Sequence, residues 1–155
     1  MTRVTVSIVD IYPIRESSGE LEVLLLRRGA GTRCTGAWEA VHGHIEGDES
    51  PVQAALRELA EETGLTPMRL YNLSRVETFY QHRLDEVALV PVFVALVEPA
   101  SPVRLSAEHD SAEWLAFARA AGRFAWPRER RALDDILQLL GAGNAGALED
   151  VLRIE

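Results

Sequence analysis

The segment Gly43–Leu65, GHIEGDESPVQAALRELAEETGL, constrains the rest of the 155-residue chain more than any other stretch. Its second half predicts a helix with marked ends. Ser50 stands as N-cap, Pro51 suits the first helical position, and Gln53 completes a capping box. Val52, Ala55, Leu56 and Leu59 fall at i, i+3, i+4 and i+7, which gives one apolar stripe for a core. Gly64 follows the last turn, where a left-handed residue is wanted.

The acids of this helix lie off that stripe. Glu58, Glu61 and Glu62 are related by i+3 and i+4 and share a second face. Each like-charge pair there costs a few tenths of a kcal/mol, roughly, so the helix itself gains nothing from them. Hard divalent cations do: Mg²⁺ and Mn²⁺ prefer carboxylate oxygens. Arg57, four residues before Glu61, orients one carboxylate and leaves the others for metal. Gly43 and Gly47 let the preceding loop fold back over the acidic face, where a freed carbonyl adds a further oxygen ligand. The plain alternative is an acidic, solvated helix face.

The length fits one domain over residues 1–155 with a real core, and 47 % hydrophobic with 26 % charged residues is ordinary for a globular chain. The net charge of −8 argues against a nucleic-acid surface. A nucleotide substrate stays open, because a bound cation supplies the local positive charge that a polyphosphate needs. Cys34 is the only cysteine, so no internal disulfide forms and a reducing compartment is expected; the residue reads as a small buried or half-buried hydrophobe rather than a reactive thiol. No run approaches membrane length and no signal segment opens the chain, so the expected location is cytoplasmic and no membrane partner is expected.

In chain order, Val4 to Ile14 reads as a strand, Ser17-Ser18-Gly19 as a turn, and Leu21 to Arg28 as a second strand pairing with the first. The continuous run Val23 to Leu26 implies burial on both faces, hence helices on each side of a sheet. Gly29 to Gly36 is loop, and Trp38 to Val41 a short strand that leads into the acidic segment. Leu70 to Tyr80 and Glu86 to Val97 follow as strands; Pro91 inside the latter implies an edge or a bulge. Leu105 to Asp110 leads to a short segment around Trp114. Pro127 to Leu140 is a second amphipathic helix, with Leu133, Ile136, Leu137 and Leu140 at helical spacing and Gly141 as its stop. Gly141 to Gly146 is flexible, and Ala147 to Ile154 forms a final short helix.

The spacing Gly43-x5-Glu49-x7-Arg57-Glu58-Leu59-x-Glu61-Glu62-x-Gly64-Leu65 resembles the Nudix box with no position missing. The outer motifs LLLRR, Trp38, Glu77-Thr78-Phe79-Tyr80, Pro91-Val92-Phe93, Leu105-Ser106-x-Glu108-His109 and Trp114 resemble the subgroup that includes dihydroneopterin triphosphate and dATP pyrophosphohydrolases. The resemblance implies the Nudix fold, an α/β/α sandwich with a mixed sheet between helices. It implies Mg²⁺-dependent (or Mn²⁺-dependent) hydrolysis of a nucleoside or pterin triphosphate to the monophosphate and pyrophosphate. Diadenosine polyphosphates, nucleotide sugars and oxidised nucleotides are the alternative substrates, and a nucleotide-sensing domain without turnover is the alternative class. Dimerisation is a tendency of the family.

The same resemblance distributes roles. Glu58, Glu61 and Glu62 hold metal, together with the carbonyl just before the box glycine, here that of His42; Glu58 or Glu61 doubles as general base. Arg57 holds the acids in register, Glu49 ties the loop to the helix, and Gly43 and Gly64 shape the motif. Glu108 is the distal candidate to reach the metals, against a plain surface residue. His109 contacts a phosphate or packs against Trp114. Either Arg27 or Arg28, by alternation, faces the site as a phosphate ligand. Of Phe79 and Tyr80 one is expected in the core and the other stacked on a base or pterin ring; Trp38 carries the same two readings. His44, where relatives carry small residues, touches phosphate or crowds it, and Asp48 is an extra, solvated acid. Arg128, Arg130 and Arg131 read as a solvated face, with phosphate recruitment as the sharper alternative.

Overall fold

In the computed structural model, which covers residues 1–155, the expected hairpin is the spine of the sheet. Strands β2 (Ile8–Ser17) and β3 (Glu20–Arg28) pair antiparallel across Ser18 and Gly19. Their φ values of 51° and 79° are those of a two-residue hairpin turn. Beyond Ile14 and Val23 the two strands part, and the gap is filled by β4 (Trp38–Glu39) on β3 and β5 (Val41–His44) on β2. This wedge carries the chain into the acidic segment. On its other side β2 runs parallel to β7 (Glu86–Val97), whose far side pairs with β6 (Pro67–Gln81). Strand β8 (His109–Ala116) lies along β3, and β1 (Arg3–Thr5) runs parallel to the start of β7, giving eight strands in one mixed sheet.

Two-residue alternation sends side chains to two cores. Val9, Ile11, Leu24, Leu26, Phe93 and Ala95 meet Ala54, Ala55 and Leu59 of α1 (Pro51–Thr63). Tyr12, Ile14, Val23, Leu25, Val92 and Val94 meet the opposite layer, formed by α2 (Phe117–Arg123) and α3 (Pro127–Leu140). The run Val23–Leu26 is therefore buried on both faces, and the expected α/β/α sandwich is what the chain forms. Helix α1 keeps its expected ends: the Ser50 hydroxyl accepts from Gln53 N–H, the Gln53 side chain accepts from Ser50 N–H, and Gly64 is left-handed at φ 71°.

Several expectations change. The first strand breaks at Val6-Ser7, because Arg3–Thr5 pairs with Glu86–Ala88 while Ile8 begins the central strand. Pro91 is not on an edge strand. It sits inside β7, between the residues paired to β1 and those paired to β2, opposite a register shift in β6 between Asn72 and Val76. The irregularity that a donor-less residue calls for, one of the two expected outcomes, thus falls opposite it in β6. The segment around Trp114 is a full edge strand followed by α2, neither of which the mixed polar sequence announces. In α3, Ala132 lies in the core beside Leu133, Ile136 and Leu140, whereas Leu137 is exposed. The tail forms a 3-10 turn at Gly146–Leu148 and α4 (Glu149–Leu152), then hydrogen-bonds the backbone of Leu70 through Ile154 and Glu155. Cys34 is exposed, at φ 55° in the loop after β3, so its reading as a buried hydrophobe is wrong: the loop turns outward before any core contact is made.

Candidate active site

Arg57 is the hub of the acidic segment. Its Nε and Nη2 donate to the two oxygens of Glu49 at 2.6 and 3.0 Å, and Nη2 also donates to the His44 carbonyl at 2.8 Å. Its Nη1 donates to Glu58 Oε1 at 2.8 Å and Glu61 Oε2 at 3.2 Å. Glu49 in turn accepts from the Glu46 N–H at 3.0 Å, closing the loop onto the helix. The Arg57 guanidinium, with that N–H, holds the Glu49 carboxyl below its usual range. A lysine cannot reproduce this fork. Arg57→Lys is expected to lower turnover by about 10- to 100-fold, as loss of groups that orient metal ligands does, with little change in melting temperature; steady-state kinetics beside a thermal melt checks both.

The two loop glycines serve different needs. Gly47, at φ 51°, makes the turn. Gly43 is not left-handed; it is glycine because a Cβ there would fall inside the carboxyl group of Glu58. That carboxylate rests on the β5 backbone, and burial raises its pKa against the opposing effect of Arg57.

One turn further, Glu62 is 4 % exposed and its Oε2 has no hydrogen-bond partner. Burial, with Glu58, Glu108 and Glu39 nearby and partly offset by His42, pushes this carboxyl up to about 8. Glu108, 58 % exposed at its side chain, comes in from the loop before β8 and lies 3.7 Å from Arg28 Nη1. Oxygens of Glu62 and Glu108 and a ring nitrogen of His109 lie within 4.8 Å of one another. Thus the last turn of α1 and the distal loop meet, with Glu108 beside Glu62. A buried carboxylate oxygen without a partner, beside further carboxylates, fits a divalent cation: the group is stable there either protonated or with a positive charge against it.

Below the loop lies a charged network that sequence reasoning missed. His42 places Nε2 at 2.9 Å from Glu39 Oε2 and Nδ1 at 3.5 Å from Asp10 Oδ1. Burial alone would lower the imidazole pKa, but these two carboxylates override it and raise it well above the usual value. Arg128 Nε donates to Asp10 Oδ2 at 2.8 Å, so this arginine belongs to a half-buried ion pair and not to a solvated face; Arg130 and Arg131 remain exposed. Glu129 is buried and accepts from Ala40 N–H at 2.6 Å and Trp126 N–H at 3.1 Å. The available signal was Asp10 inside VSIVDIYPI and Glu39 in the apolar approach to the box. A lone acid in an apolar strand needs a partner from elsewhere.

The remaining candidates separate. Arg28 turns toward the site, at 3.4 Å from Glu39 Oε1, while Arg27 pairs with Asp110 at 2.7 Å and lies over the Trp38 ring. Trp38 is half-buried against the α2–α3 core, with Arg123 over its ring at 5.1 Å. Phe79 and Tyr80 are 40 and 54 % exposed, so neither enters the core as one was expected to. Phe79 packs edge-on against Trp126, the N-cap of α3, at 6.2 Å, and Tyr80 donates to Asp85. His44 is exposed and engages Arg57 through its carbonyl.

A NUDIX domain model matches residues 1–136, and the chain belongs to that family. Its hydrolases use divalent metals. Among curated relatives, an octanoyltransferase of Myxococcus xanthus is 36 % identical over 122 residues, 74 % of this chain but 32 % of that protein, so the chain spans about a third of that relative. An RNA pyrophosphohydrolase of Thioalkalivibrio sulfidiphilus is 32 % identical over 124 residues, 67 % of this chain and 72 % of that one. Among solved structures, a C. elegans Ap4A hydrolase in a binary complex superposes with TM-score 0.74 at 24 % identity, over 89 % of this chain and 99 % of that one. The E. coli dihydroneopterin triphosphate pyrophosphohydrolase does so with TM-score 0.69 at 21 % identity, over 89 and 99 %. These two likenesses are of fold. No helix is long and apolar enough to cross a membrane.

Proposed function

We propose that this chain is a divalent-metal-dependent pyrophosphohydrolase that converts a nucleoside or pterin triphosphate to the monophosphate and pyrophosphate. The observation that carries the reading is the buried, unpartnered carboxylate of Glu62, clustered with Glu108, with Glu58 close to both and Glu61 beside Glu58. A pure binder of nucleotides has no use for so many carboxylates on neighbouring turns and the facing loop. Glu58, Glu61, Glu62 and the His42 carbonyl are the groups that would hold Mg²⁺ or Mn²⁺, which when bound supplies charge neutralisation and water activation.

The chain's own groups do the rest. Arg57 holds one oxygen each of Glu58 and Glu61 and leaves the other of each for metal. Glu58 or Glu61 takes the proton of the attacking water. Glu108 closes the site from the opposite loop, and Arg28 beside it binds a non-bridging phosphate oxygen. Exposed Phe79 and Tyr80 offer a ring-stacking surface, with His44 at the phosphate end and Trp38 as the second aromatic candidate.

The test is a panel of nucleoside triphosphates and dihydroneopterin triphosphate with Mg²⁺, assayed for phosphate directly and again after added inorganic pyrophosphatase. Signal only after the added enzyme is the expected result. Direct phosphate release would replace the proposed bond of cleavage with the terminal one. The RNA pyrophosphohydrolase relative and the Ap4A hydrolase likeness support a second reading, a substrate with a longer or capped polyphosphate. Turnover of dinucleoside polyphosphates with a silent triphosphate panel would favour it.

A further inference from the structure

His109 is buried, opens β8, and follows Glu108 directly. Its Nε2 lies 3.1 Å from Glu39 Oε1, a buried carboxylate that His42 and Arg28 also contact. Facing a carboxylate oxygen, Nε2 is the donor, and in the neutral ring the lone pair then falls on Nδ1. Nδ1 is buried and has no hydrogen-bond partner. A histidine kept only for packing would leave that lone pair desolvated and unused, an arrangement that native interiors avoid. Two independent orphans, His109 Nδ1 and Glu62 Oε2, thus occur in side chains whose ligand atoms cluster with Glu108 within 4.8 Å.

We infer that His109 is a metal ligand through Nδ1, sharing one cation with Glu62 and Glu108, with Glu39 as the carboxylate that orients the ring. A carboxylate–histidine–metal chain is the usual support of a ligating imidazole. The consequence is chemical. An all-oxygen site suits Mg²⁺, whereas one imidazole nitrogen shifts the preference toward first-row transition cations. The inference rests on reading this surface as a divalent-metal centre and adds a nitrogen donor to it.

The experiment loads the full chain with Mn²⁺ alone and records pulsed EPR, at one and at three equivalents, before and after labelling histidine with ¹⁵N. The expected result is a nitrogen modulation that changes with the label, is lost in His109→Gln, and persists in His44→Gln and His82→Gln. Mn²⁺ affinity should fall about tenfold in His109→Gln, with Mg²⁺ affinity changed much less. Bound Mn²⁺ without histidine coupling, or coupling that survives in folded His109→Gln, overturns the inference and leaves the metal centre standing. Failure of the wild-type chain to bind Mn²⁺ overturns both. Should His109→Gln not fold, the other two variants decide. The chain has four histidines, and both nitrogens of His42 face carboxylates. Coupling kept in His44→Gln and His82→Gln therefore assigns it to His109, and coupling lost in either assigns it elsewhere.

Discussion

Glu62→Gln is expected to lower metal-dependent hydrolysis by about 10³-fold or more, the several kcal/mol that a catalytic cation contributes, while raising the melting temperature of the metal-free protein. The opposite signs follow from one fact. The Glu62 carboxyl titrates near its ordinary 4.5 in the unfolded chain and is pushed up to about 8 in the fold. Between those values the folded protein holds a proton that the unfolded chain has released, so stability falls as pH rises through that window and levels off above it. The full loss is about 3–5 kcal/mol. Glutamine carries no such proton and shows no such slope. Melts in EDTA should therefore agree most closely near pH 4.5 and diverge toward pH 8, with the variant higher. Added Mg²⁺ or Mn²⁺ should raise the wild type and leave the variant nearly unmoved, since a cation stabilises only a fold that binds it. A metal-free variant that melts below the wild type at pH 8 would remove Glu62 as the strained group of the site.

Gly43→Ala is expected to lower turnover by about 10²- to 10³-fold, the range seen when one preorganised group at the reacting centre is displaced. The added methyl must enter the space of the Glu58 carboxyl group, which lies against the β5 backbone and is bonded to Arg57. Either Glu58 leaves its position or β5 separates from α1. The first outcome costs activity. The second adds a stability loss of about 1–3 kcal/mol, as overpacking does. Kinetics and a denaturant melt of the same sample separate them. An alanine variant within threefold of wild-type turnover would show that the contact between Gly43 and Glu58 is dispensable. Gly47 gives the contrasting case, since its substitution meets no neighbour and strains only the turn.

What could be read from the sequence was what is local. The ends of α1, the acidic face, the clamp on Glu61 and the turn at Gly64 all depend on residues within a few positions of one another, and they stand as expected. The run Val23–Leu26 carried its two-sided burial in its own composition. Residues whose meaning depends on distant partners were misread or missed. Arg128 opens a helix with two other arginines nearby and looks solvated, until Asp10, 118 positions away, is brought beneath it. Phe79 and Tyr80 alternate like core and surface, yet both are exposed, because alternation cannot show whether a layer covers either face. Strand β8 pairs along one edge only, so its sequence needs no strong pattern. His109 was open between phosphate contact and packing because its partner Glu39 lies 70 residues earlier.

The grip of Glu129 on the Ala40 amide has a meaning for the order in which the molecule opens. Ala40 joins β4 to β5, directly before the residues that lead into the acidic loop. Its N–H is hydrogen-bonded not to a neighbouring strand but to the first turn of α3. The protection of that one amide against exchange with solvent is therefore set by the docking of α3 and not by the sheet around it. The approach to the acidic loop and the start of α3 are tied by a carboxylate that lies 89 residues away in the chain, and hydrogen exchange is expected to show them opening together.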